Sequence, residues 1–143
     1  MSNKKYYELF GDLVYSYTRS DALRDGVLVA LSHAQAVGFR VPVAITDAAY
    51  AECIAWLGAD PRLSDILCLR EEIVLRAAVM EAKAHRRRLQ AGSTERPDRI
   101  DFIVETVVLR EGKADLIQVP LYMVIGPGDN AEPVGTILRV GED

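Results

Sequence analysis

Apolar residues recur at three- and four-residue steps between Ser64 and Gln90, and at two-residue steps from Ile100 onward. The first period is that of an amphipathic helix and the second that of a half-buried strand. In Ser64–Gln90 the residues Ile66, Leu69, Ile73, Ala77, Met80 and Ala84 form one continuous stripe, with Glu71, Glu72 and Arg76 on the other side. Arg76 lies four residues after Glu72, the favourable order for an ion pair along a helix. Such a helix would be ~35–40 Å long at ~1.5 Å per residue. That exceeds what a small core needs, so its end projects or the helix pairs with a copy of itself.

Past the linker Ala91–Arg99, the pattern predicts a three-stranded β-meander. Ile100–Arg110 is the first strand and Glu111-Gly112-Lys113 a tight turn. Asp115–Ile125 follows, with Ile117, Val119, Leu121, Met123 and Ile125 on one face that a helix must cover. Pro120 on the opposite face implies an edge or a bulge. The turn-rich Gly126-Pro127-Gly128-Asp129-Asn130 then leads into Val134–Val140.

Shorter elements precede the long helix. Leu13–Thr18 reads as a strand, and Ser20 as the cap of a brief helix that Gly26 stops. Val27–Leu31 reads either as a strand, the preferred reading, or as the start of a helix running to Val37. Arg40–Ile45 reads as a strand with Pro42 at its beginning or at an edge. Thr46 caps a helix over Asp47–Leu57. The expected fold is α+β over a single domain, 1–143: a mixed or antiparallel sheet whose C-terminal meander packs against one long helix and one or two shorter ones.

Composition narrows the function classes only a little. The chain has 143 residues, half of them hydrophobic, and a net charge of −4, which disfavours nucleic acid as the main partner. Cys53 and Cys68 share no metal-ligand spacing with His33 or His85 and read as two free buried thiols. The N-terminus lacks a signal-peptide pattern and no apolar run is long enough to span a bilayer, so the expected location is the cytoplasm, with no membrane partner.

Candidate chemistry is sparse. Gly126-Pro127-Gly128-Asp129 imitates a phosphate loop, but a strand follows it and the loop is acidic, so it reads as a hairpin connection. Glu105 reads as a solvent-facing carboxylate. Lys83, His85, Arg86, Arg87 and Arg88 concentrate positive charge at the end of the long helix, either as a solvated helix terminus or as a contact for an anionic partner. Tyr15, Tyr17 and Arg19 belong to the residue types that anchor protein interfaces. The candidate protein-binding residues are therefore Tyr15, Tyr17, Arg19, Lys83, Arg86, Arg87 and Arg88. No catalytic motif, metal set or cofactor site stands out.

The stretch Glu8–Ala44 and the ending Gly126-Pro127-Gly128-Asp129, Glu132-Pro133-Val134 and Gly141-Glu142-Asp143 resemble an uncharacterised family of small proteins carried on bacterial plasmids, phages and other mobile elements. The resemblance implies a non-enzymatic accessory protein that binds a host protein complex, such as an anti-CRISPR or anti-restriction inhibitor. Two alternatives stand beside it. Tyr15-Ser16-Tyr17-Thr18 with Ala22 and Gly26 is similar to the opening of ADP-ribosyltransferase-like enzymes, although the His expected near Tyr15 is missing; this would make the chain a small nucleotide-dependent transferase. The basic helix end would instead suit a nucleic-acid-associated regulatory module. A homodimer through Leu69, Arg76 and Met80 is compatible with all three.

Overall fold

The computed structural model describes residues 17–55 and 64–142. Thr18 opens helix α1 (Arg19–Asp25): its hydroxyl accepts the N–H of Asp21, and the Asp21 carboxylate accepts the N–H of Thr18. Thr18, rather than Ser20, is the cap because it places an acid at the third helical position and so closes a reciprocal capping box. Gly26 ends the helix in the left-handed region, at φ 80°. Residues 13–16 of the expected strand Leu13–Thr18 lie outside the described residues, and Tyr17 and Thr18 are not in a strand.

Strand β1 (Leu28–Ala30) and the single turn α2 (Ala34–Val37) follow. Strand β2 (Val43–Thr46) begins just past Pro42, as the missing N–H requires. Thr46 caps helix α3 (Asp47–Cys53), its hydroxyl accepting the N–H of Ala49. This helix ends earlier than Leu57. Thr106 Oγ1 donates to the Cys53 carbonyl and Arg70 Nε to that of Ile54, taking bonds that a continuing helix would have made. Trp56 and Leu57 lie outside the described residues.

Helix α4 (Ser64–Gln90) has the expected bounds. The meander is β3 (Arg99–Arg110), β4 (Lys113–Pro127) and β5 (Pro133–Arg139). Glu111 and Gly112, both at positive φ, turn β3 into β4 with Arg110 opposite Lys113. The sheet order is β1-β2-β5-β4-β3, with β2 and β5 parallel and every other pair antiparallel. Pro120 therefore lies within an inner strand, not at an edge or a bulge. Its carbonyl accepts from Val140, one residue beyond the end of β5, so its absent N–H falls where that ladder has stopped.

Val119, Leu121 and Met123 are buried as the alternation requires, with Ile117 and Ile125 packed beside them. The face of the sheet they share is covered by α4, α3 and α2. The side of α4 that covers it is not the expected stripe, of which Ala77 packs against the core but the large side chains do not. Val74, Leu75, Ala78 and His85 are buried, whereas Ile66, Leu69, Ile73 and Met80 remain 41%, 58%, 45% and 72% exposed. Two polar residues on the inner side account for the reversal. Glu71 accepts the backbone N–H of His33 and lies 3.2 Å from its Nδ1, and His85 Nε2 bonds the Arg96 carbonyl at 2.8 Å. With these partners a carboxylate and an imidazole can face the core. Cys53, at the end of α3, is buried, but Cys68, on α4, is exposed rather than buried.

Candidate functional site

The basic run at the end of α4 does not act as a unit. His85 turns inward. Arg88 points to Glu81 and Glu95, at 3.0 and 2.8 Å, and these bonds raise its pKa while Arg88 and Ser93 hold the Glu95 carboxyl below its ordinary range. Arg87 is exposed. Lys83 and Arg86, one helical turn apart, line an open groove with Arg40, which arrives from the segment between α2 and β2. No carboxylate of the described residues pairs with Arg40, Lys83, Arg86 or Arg87. Arg40 was not marked by any pattern in the sequence, since a lone arginine before Val41-Pro42 carries no local signal.

The Tyr17–Arg19 corner is built differently. Tyr15 lies outside the described residues. Tyr17 is exposed, and its hydroxyl donates to Asp25 at 2.9 Å. Arg19 reaches back to the sheet, donating to Thr136 Oγ1 at 2.7 Å and to the Gly135 carbonyl at 2.8 Å; burial pushes its pKa below the ordinary value. The Asp129 carboxylate accepts the N–H groups of both Arg19 and Ser20. The loop that imitates a phosphate cradle thus supplies an anion to the start of α1 instead of receiving one. It is a hairpin connection, as expected.

The outer side of α4 is the longest apolar surface among these features. Ile66, Leu69, Ile73, Arg76 and Met80 follow each other at steps of three, four, three and four, which is the seam spacing of two packed helices. Arg76 meets Glu72 at 3.9 Å, the ion pair anticipated from their order. Beside the seam, a cavity of about 360 Å³ is lined by Ile66, Ile73, Cys53, Val104 and Thr106. Arg70 crosses its wall to donate to Thr106 Oγ1 at 2.6 Å and to the Val107 carbonyl at 3.2 Å. Cys53 is no nucleophile here: burial pushes its thiol up to about 11, so it stays protonated at neutral pH. Glu105 faces solvent and accepts from Gln118 Nε2, as its lone position in the strand suggested.

Among the described residues no group of His, Cys, Asp and Glu could hold a metal ion, and no helix is long and apolar enough to cross a membrane. The family model described as a family of unknown function (DUF6573) matches residues 4–143, nearly the whole chain. The chain belongs to the DUF6573 family. No curated protein and no solved structure matches it. Membership agrees with the resemblance to an uncharacterised family and assigns no residue a role.

Proposed function

We propose that this DUF6573 chain is a non-enzymatic accessory protein of a mobile element that binds a host protein complex, a CRISPR or restriction complex being the target class. The contact is the outer side of α4. The observation that carries it is the exposed seam of Ile66, Leu69, Ile73 and Met80, four large apolar side chains in helix-pairing register. Its occupant is an apolar helix of the target with an acidic residue opposite Arg76. A parallel second copy would set Arg76 against Arg76, which is unfavourable. The likeness of the chain's two ends to mobile-element proteins supplies the biological setting.

The test is expression in a bacterium with an active CRISPR or restriction system. Wild-type protein is expected to restore phage or plasmid entry, and L69K/M80K to lose that effect while keeping the wild-type melting temperature. Undiminished immunity with wild-type protein, across both system types, overturns the target class. An L69K/M80K variant as active as wild type overturns the surface.

A further inference from the structure

We propose that the groove between α4 and the α2–β2 connection binds a phosphorylated small organic anion of the nucleotide class. Its cavity is about 500 Å³, within the ~300–1,000 Å³ usual for small-molecule sites. Three cations enclose it. Gly38, at φ 117°, reverses the chain after α2, so that Phe39 packs on the core and Arg40 is carried to the groove. Lys83 and Arg86 face it from α4 at a spacing of three residues.

Charge bookkeeping sets this groove apart. Acids outnumber Lys plus Arg by 21 to 17 in the chain. Accordingly Arg24, Arg76, Arg88, Arg96, Arg99 and Arg139 each pair with a carboxylate, and Arg19 and Arg70 donate to protein oxygens. Arg40, Lys83 and Arg86, like the exposed Arg87, have no such partner among the described residues, but these three share one cavity, and no described acid lines it. The neighbouring cavity of about 400 Å³ near His85 makes the contrast: its Arg88, Arg96 and Arg99 already meet Glu95, Asp98 and Asp101. Like charges held together raise the free energy of the empty groove, and an anion relieves it. Two guanidiniums and an ammonium suit the several oxygens of a phosphate group.

The floor decides what the phosphate is attached to. Phe39, Val79 and Ala82 offer an apolar surface, one ring among them, to a flat organic body. A long nucleic acid is disfavoured, because the cations surround a concavity instead of following a ridge and the chain is acidic. The site is separate from the seam, and it can fail or stand without it.

Calorimetric titration of the full chain with ATP, ADP, AMP, adenosine, inorganic phosphate and a 20-nucleotide single strand tests this. ADP or ATP is expected to bind and to raise the melting temperature, adenosine to do neither, and affinity to fall as salt is added. K83A/R86A and, separately, R40A should each weaken nucleotide binding by about tenfold or more while leaving the unliganded melting temperature unchanged. No nucleotide binding at millimolar concentration overturns the proposal. Unchanged affinity in both variants overturns the site. Equal affinity for inorganic phosphate, or binding of the oligonucleotide alone, overturns the ligand class.

Discussion

Cys53 and Cys68 carry the same side chain into opposite environments, and their chemistry should divide accordingly. Cys53 is in the core with its thiol raised to about 11 by burial, while Cys68 stands on the exposed side of α4. A raised thiol pKa leaves the protonated form dominant: at pH 8 about one Cys53 side chain in a thousand is thiolate, and only thiolate attacks a disulfide reagent. A thiol-reactive disulfide dye at pH 8 should therefore release one equivalent quickly from the native protein and a second only in denaturant. Two fast equivalents would mean that α3 opens readily from β3 and exposes Cys53. Arg19 shows the same dependence on surroundings from the polar side. A residue type common at interfaces is turned inward here by Thr136 and the Gly135 carbonyl, while Asp129 holds its backbone. Neither acceptor is near Arg19 in sequence, so nothing local distinguishes an anchor of the fold from an anchor of a partner.

Among the elements, α4 makes the sharpest case, because it carries apolar residues on both sides. Truncating the inner side removes packed core: Leu75→Ala should cost about 2–5 kcal/mol, as buried leucines generally do. Charging the outer side, Leu69→Lys, should change stability by no more than about 0.5 kcal/mol, since the side chain is already in water and lysine is a comparable helix former. Urea titration of the two variants reads both numbers; a large loss in Leu69→Lys would place the outer side in the folding core. The strand face Ile117–Ile125 was legible from sequence because its period of two is unbroken by polar residues. The bounds of α4 were legible too, but its orientation was not. Glu71 and His85 interrupt the inner side, and the groups that satisfy them, the N–H of His33 and the carbonyl of Arg96, belong to other segments. The cleaner stripe is the one left outside. The groove was half legible: Lys83 and Arg86 stood out in a basic run, whereas Arg40 joins them only through tertiary folding.

At the scale of the whole molecule, the question is whether the exposed seam is satisfied by a second copy. Its five positions from Ile66 to Met80 span two heptad repeats, and stable pairing of free helices ordinarily needs three or four. The seam also has Arg76 near its centre, which a parallel copy would meet with the same charge. Both arguments oppose self-association at low concentration and favour a foreign helix that adds its own complementary acid. The isolated chain should thus scatter light as a particle of 15.8 kDa at micromolar concentration. A mass of about twice that, abolished by L69K/M80K, would replace the foreign helix by an antiparallel copy, the isologous arrangement that spares Arg76 from itself. A doubled mass that persists in L69K/M80K would locate the dimer elsewhere. The twelve-residue β3 would then be the element to probe, because among the described residues it is the sheet's long outer strand and has a neighbour only in β4.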